Sequence, residues 1–259
     1  MIIQLADKGN LRSILSSNFN NTLWKYKIEL LWGSVFDLKN LHQLGYFHKD
    51  FHSGNILQKS KNNWAFISDF GLSGPANKQK SDDKICGVLP YIAPDVLNKE
   101  PYTLSSDIYS FGVVMAELSS GKPPFHNRNH DASLALAICN GLRPEFGKGT
   151  PEIYKKLAYR CMNANPDQRP TADELYEILE FWYHSISAMS NYEEKFGYKV
   201  EEIKSMSEEA DKEIPNISTS CEKDPDAIYT SRVFTFSNLP KPINSSFITS
   251  YLNDEGIVS

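Results

Sequence analysis

A mainly α fold with one small β-hairpin is what the sequence predicts, and two patterns predict it. Apolar residues recur at steps of three and four over two long stretches, 24–41 and 108–118, as they do on the buried face of a helix. Between these stretches, Ile56-Leu57 and residues 64–67 form short apolar runs separated by a polar turn, the signature of a hairpin. Hydrophobic residues make up 41% of the 259 residues and aromatic residues 12%, enough to pack one good-sized domain with an appendage.

Taken in order, the apolar start at residues 1–5 reads as the end of a strand, and Asp7-Lys8-Gly9-Asn10 as a turn. A long helix is expected over 22–44, its buried face carrying Trp24, Ile28, Leu31, Val35, Leu38 and Leu41. Gly45 follows where a left-handed helix end is wanted. The hairpin comes next, at 56–67. From Thr103 the pattern is helical again, and Ile108, Phe111, Val114, Met115 and Leu118 make a helix apolar enough to lie at the centre of the core. Gly121 and Pro123-Pro124 stop it. Helices are expected at 131–140, 151–162 and 171–185. The last opens on Thr171-Ala172-Asp173-Glu174, a capping box whose hydroxyl and carboxylate can satisfy free backbone amides. Beyond this the composition shifts. Residues 192–222 carry nine acids against four lysines, and the remainder is rich in Ser, Asn and Pro. Such a stretch is expected to bury too little apolar surface to offset its ordering entropy. The expected division is a folded unit over 1–185 and a largely disordered tail over 186–259, with a transient helix at 199–212.

The net charge of −5 argues against a nucleic-acid partner. Cys86, Cys139, Cys161 and Cys221 fall in no C-x-x-C pair and show no metal-ligand spacing, as expected of free thiols in a reducing compartment. The first residues lack a charged segment followed by an apolar run, so they do not read as a secretory signal. No apolar run approaches the ~18 residues of a membrane span. The expectation is an intracellular, cytoplasmic protein.

The chemistry lies around the hairpin. His48-Lys49-Asp50, Asn55 five residues after that aspartate, and Asp69-Phe70-Gly71 occur in this order. Each triplet alone is weak: H-x-D is more often a loop histidine beside a capping aspartate, and D-F-G a turn with a buried aromatic. Together they resemble the catalytic centre of eukaryotic protein kinases. Four further segments resemble that family in order. They are Gly87-Val88-Leu89-Pro90-Tyr91-Ile92-Ala93-Pro94-Asp95, Asp107-Ile108-Tyr109-Ser110-Phe111-Gly112, Gly121-Lys122-Pro123-Pro124-Phe125 and Asp167-Gln168-Arg169-Pro170. The resemblance covers residues 1 to about 185 and implies the helical C-terminal lobe of a kinase, with the hairpin at its catalytic loop. Its style looks most like the tyrosine-kinase-like group, whose members mostly phosphorylate serine and threonine. It implies ATP and Mg²⁺ as cofactors and a protein substrate. Asp50 would be the catalytic base, Asp69 the main metal ligand and Asn55 the second, each a hard oxygen donor of the kind Mg²⁺ prefers. Gln4, Leu5 and Ala6 would be the hinge that pairs with adenine, and Leu57 the apolar floor under the ring. Asp107 would hold the catalytic loop from below, His48 and Phe70 would stack, and residues 72–90 would be the activation loop. Within that loop Ser73 and Ser81 could accept phosphate, although plain loop serines are the commoner case.

The sequence departs from the family pattern at several places. Lys49 replaces the usual arginine, His52 a lysine, Val88 a threonine and Asp95 a glutamate facing Arg169. The sequence also contains no G-x-G-x-x-G and no V-A-I-K, the loop and strand lysine that clamp ATP phosphates. The N-terminal lobe is therefore expected to be missing, and this chain alone is expected to transfer phosphate poorly. The alternative is a non-catalytic, kinase-derived module that docks partner proteins through the lobe or the tail.

Overall fold

A computed structural model describes residues 6–59, 62–76 and 84–253. The first element among the described residues is α1 (Leu11–Asn18), whose N-cap Asn10 accepts a hydrogen bond from the Ser13 amide at 2.9 Å. Next come α2 (Trp24–Gln43), β1 (Tyr46–Phe47), β2 (Ile56–Lys59), β3 (Asn62–Ile67), β4 (Gly74–Pro75) and β5 (Ile85–Gly87). The helical body then runs through α3 (Pro94–Leu97), α4 (Leu104–Ser120), α5 (Ala132–Cys139), α6 (Glu152–Cys161) and α7 (Ala172–Ile186). It is followed by β6 (Glu194–Lys195), β7 (Tyr198–Lys199), α8 (Val200–Glu213), β8 (Arg232–Phe234) and α9 (Ser246–Asn253).

Helix α4 is the axis of the core. Every residue from Ser106 to Ser120 is buried; the apolar run 111–116 packs in the core, and Asp107, Ser110 and Glu117 are buried with hydrogen-bond partners. Helix α4 packs on α6, while α2 packs on α7 and on the β2–β3 hairpin. The contact between α4 and α6 is close: a Cβ added at Gly112 would lie 2.8 Å from Cys161 Cβ and 2.9 Å from the Ala158 carbonyl oxygen. The hairpin is antiparallel and pairs Ile56 with Ile67 and Leu57 with Phe66. Gly121 ends α4 in the left-handed region, with φ of 70°. At α7 only half of the expected capping box forms. Thr171 accepts the Glu174 amide at 3.1 Å, but the Glu174 carboxylate pairs with Arg160 at 2.6 Å instead. A reciprocal box forms at Thr103 and Ser106. The strand expected at residues 1–5 lies outside the described residues.

The tail departs from the expected disorder: residues 187–253 are folded back onto the helical body. Helix α8 packs against α7 and α2, with Ile203, Ala210 and Ile214 buried. Its Asp211 accepts the backbone N–H of Trp24 at 2.7 Å and so caps α2, whose own N-cap Leu23 provides no side-chain bond. Strand β8 pairs antiparallel with β5. Helix α9 packs on α6, where Tyr251 lies 5.0 Å from Tyr159 between ring centres. The acidic count missed this because the acids share α8 with an apolar stripe at helical spacing, and the later apolar residues come in short pairs, such as Val233-Phe234 and Phe247-Ile248, between polar stretches.

Candidate active site

Asp107, at the start of α4, is fully buried. Its carboxylate accepts hydrogen bonds from the backbone amides of His48 at 2.8 Å and Lys49 at 3.0 Å, and from the Tyr102 hydroxyl at 2.7 Å, and it faces His42 Nε2 at 3.0 Å. Burial alone would raise its pKa, but these bonds outweigh it and hold the group below the ordinary carboxylate range. The loop is fixed at that point, and Lys49, next to Asp50, takes a left-handed backbone with φ of 70°. Asp50 is only 7% exposed. Its Oδ2 accepts the hydroxyl of Ser231 and lies 3.6 Å from His52 Nε2. Its Oδ1 is buried and finds no partner among the described residues. Burial pushes the Asp50 pKa up, while His52, Ser231 and His48 pull it down further, so the group stays anionic. The His52 Nδ1 accepts the Gly54 amide at 3.0 Å, which leaves the proton on Nε2, the nitrogen facing Asp50.

The hairpin brings Asn55 and Asp69 to one end. Asn55 donates its amide to the Asp50 carbonyl at 3.0 Å, and its own carbonyl accepts both the backbone N–H and the hydroxyl of Ser68 at 2.9 Å. Asp69 follows directly, in the left-handed region with φ of 62°, exposed, with Oδ1 on the Gly71 amide at 3.3 Å. The Phe70 ring lies 5.2 Å from His48. The Asn55 amide nitrogen is committed to Asp50, so its oxygen is the end left to accept. With the Asp69 carboxylate this makes a hard-oxygen pair of the kind that suits Mg²⁺. No group of three or more His, Cys, Asp or Glu with metal-site geometry occurs among the described residues.

On the nucleotide side, Gln4 and Leu5 lie outside the described residues. Ala6 is half-buried, and Leu57, on β2, is half-buried and bridged to Asn10. The Gln58 amide donates to the Gly9 carbonyl at 3.1 Å, which ties the segment before α1 to the hairpin. Ser73 donates to the His48 carbonyl at 3.2 Å, and Ser81 lies outside the described residues. The Arg169–Asp95 ion pair closes at 2.5 Å with both side chains buried, so the shorter carboxylate still reaches. Val88 is buried beside Asp50.

One polar cluster was not foreseen. Glu117 is buried within α4 and accepts the Tyr91 hydroxyl at 2.6 Å and the Ser53 hydroxyl at 2.9 Å, with Arg12 Nε at 3.7 Å. Burial raises its pKa, while Arg12 and the two hydroxyls hold it back. Arg12 also donates to Ser53 at 3.2 Å and to the Tyr229 carbonyl at 3.1 Å, joining α1, the Asp50 loop and the tail. A glutamate inside the helix expected at the centre of the core was the signal available in the sequence.

A family model described as protein kinase domain matches residues 1–179. Two Dictyostelium discoideum proteins, each named a probable serine/threonine-protein kinase, are similar to the chain. One is 30% identical over 183 residues, covering 69% of this chain and 11% of the relative. The other is 32% identical over 191 residues, covering 68% of this chain and 15% of the relative. A protein of Acanthamoeba polyphaga mimivirus named as a serine/threonine-protein kinase/receptor is 33% identical over 184 residues, covering 69% of this chain and 11% of its own length. The chain thus spans less than a fifth of the length of these relatives. The loop held by Asp107, the hairpin joining Asn55 to Asp69 and this match over more than half the chain place it in the protein kinase family.

Proposed function

We propose that the chain provides the acceptor-binding and metal-binding side of a serine/threonine protein kinase, acting on hydroxyl groups of protein substrates within the cell. The observation that carries this reading is the single hydrogen-bonded frame in which Asp107 holds the backbone of His48 and Lys49, and Asn55 is tied to Asp50 and Ser68. In that frame Asp50 stays anionic and accepts a hydrogen bond from the substrate hydroxyl, orienting its oxygen for in-line attack and taking its proton as the new bond forms. Asp69 and Asn55 would hold Mg²⁺, and Leu57 with the segment at 4–6 would receive adenine. When bound, ATP would supply the phosphoryl group and leave as ADP, and Mg²⁺ would offset the phosphate charge. The names of the relatives favour serine and threonine over tyrosine. No helix among the described residues is long and apolar enough to cross a membrane.

Residues 1–259 contain neither a G-x-G-x-x-G nor a V-A-I-K segment, so transfer is proposed to be slow unless groups that clamp the ATP phosphates are supplied to the lobe. The test fuses the chain behind the ATP-clamping lobe of another kinase and follows labelled phosphate onto Ser-, Thr- and Tyr-containing peptides. Incorporation into Ser or Thr that vanishes with Asp50→Asn is expected. A fusion that binds Mg²⁺–ATP yet transfers nothing would favour a module that only docks partners.

A further inference from the structure

The tail does more than pack against the lobe: part of it lies across the Asp50 loop as an extended strand. The approach is held by main-chain bonds. The Asp224 amide donates to the His126 carbonyl at 2.8 Å, the His130 amide donates to the Asp226 carbonyl at 3.2 Å, and His130 Nδ1 meets the Ile228 carbonyl at 2.9 Å. Arg12 donates to the Tyr229 carbonyl, and the Tyr229 ring lies 4.9 Å from that guanidinium and 4.8 Å from the His130 ring. The Tyr229 hydroxyl donates to the Pro124 carbonyl at 2.9 Å. Two residues on, the Ser231 hydroxyl donates to Asp50. Arg232 then donates to the His130 carbonyl, and β8 continues antiparallel along β5 with Gly87 opposite Arg232 and Ile85 opposite Phe234. Phe234 is 8% exposed and stacks on Phe236 at 5.3 Å.

This is how a sheet edge captures a peptide: main-chain pairing gives affinity with little sequence preference, and pockets for particular side chains give selectivity. The one hydroxyl on the strand that meets a buried carboxylate meets Asp50, the residue that would orient an acceptor. We propose that residues 229–234 are an internal, substrate-like occupant of the groove that takes the protein substrate, with Ser231 at the acceptor position. Through these residues the groove selects an extended segment with an aromatic residue two before the hydroxyl, arginine one after and an aromatic residue three after. The inference rests on the kinase reading for the meaning of the groove. Its test needs no nucleotide, so the two can fail separately.

The experiment uses the whole chain and a fluorescein-labelled synthetic peptide copying residues 226–237, followed by fluorescence anisotropy. The wild type binds the peptide weakly because its groove is full. The Tyr229→Ala/Phe234→Ala variant, whose own strand is loosened, binds it about tenfold more tightly or better. A peptide with Glu in the Ser231 position loses about tenfold on that variant, because its carboxylate meets Asp50. Adding Asp50→Asn to the variant brings the two peptides back to equal affinity. Equal binding of the Ser peptide by wild type and variant, binding by neither, or indifference to Glu would each overturn the inference. Should the double variant fail to fold, the single substitution Ser231→Glu serves. Amide exchange over β5 should rise about tenfold or more in Ser231→Glu and return towards the wild-type rate in Ser231→Glu/Asp50→Asn. Unchanged exchange would be equally fatal. A fusion that transfers no phosphate would defeat the kinase reading and leave these binding results standing.

Discussion

Asp50 and Asp69 are the same side chain in very different surroundings, and the difference matches the separate roles proposed for them. Asp50 is nearly buried and held anionic by its neighbours, whereas Asp69 is exposed at the end of the hairpin. In the fused kinase Asp50→Asn should preserve Mg²⁺-dependent nucleotide binding and slow transfer by roughly 10²–10⁴-fold, the usual cost of a positioned proton acceptor. Asp69→Asn should weaken nucleotide binding itself, measured by titration with and without Mg²⁺. Identical behaviour of the two would refute the division. Lys27 presents a different residue-scale question. It is fully buried on α2, its Nζ without a hydrogen-bond partner among the described residues and 4.3 Å from the centre of the Phe19 ring. Burial lowers its pKa from the ordinary 10.5 to about 7, with nearby Asp211 opposing. Between about 7 and 10.5 the unfolded chain binds a proton that the folded chain does not, so this residue makes stability rise with pH across that window and penalises folding in full below it. Lys27→Met should therefore raise stability by roughly 1–3 kcal/mol near pH 6, with the gain fading towards pH 10. Denaturant titrations at several pH values would show it. The segments around Asp50 were legible in the sequence as a family resemblance, because their residue types recur in a fixed order. Lys27 was hidden because a lysine on a helix reads as a solvated face.

At the scale of elements, periodicity decided what could be read. Helices α2, α4, α6 and α7 and the β2–β3 hairpin repeat a buried face often enough to be seen. Helix α1 is short, α9 stands alone after a loop, and β8 has three residues whose strand character comes from pairing with β5. Sequence order cannot reveal a pairing between segments so far apart. The glycine of Asp107-Ile108-Tyr109-Ser110-Phe111-Gly112 has a packing reason that its motif alone does not state. Gly112 lets α4 approach α6 so closely that an added methyl group would meet both a side chain and a backbone oxygen below 3.0 Å. Neither neighbour is the free end of a flexible chain. Gly112→Ala should then cost about 1–3 kcal/mol through overpacking, despite the better helix propensity of alanine. A thermal melt that is unchanged or raised would show that the helices can separate without strain.

Across the whole molecule the tail acts as a strap with three attachments: α8 on α2 and α7, β8 on β5, and α9 on α6. The first is the most easily tested. Asp211 is the side chain that caps α2 across a sequence separation of 187 residues, so Asp211→Ala should destabilise the fold by about 1 kcal/mol. Amide exchange should quicken first in the opening turn of α2 and along α8 together. Loss confined to α8 would mean that α2 does not depend on the cap. Composition suggested the opposite of this strap, because counting acids averages over the face that α8 buries.

The tethering of Ser231 also has an arithmetic of its own. A segment joined to its groove by the same chain meets it at an effective concentration on the order of 1 mM, whatever the protein concentration. Dilution cannot empty such a groove. A free peptide of equal intrinsic affinity must itself approach that concentration to occupy half of the molecules, and its apparent Kd rises by the inverse of the open fraction. Small changes in the contacts of Tyr229 or Phe234 would therefore scale the response to every protein substrate by one common factor, without altering which substrate is preferred.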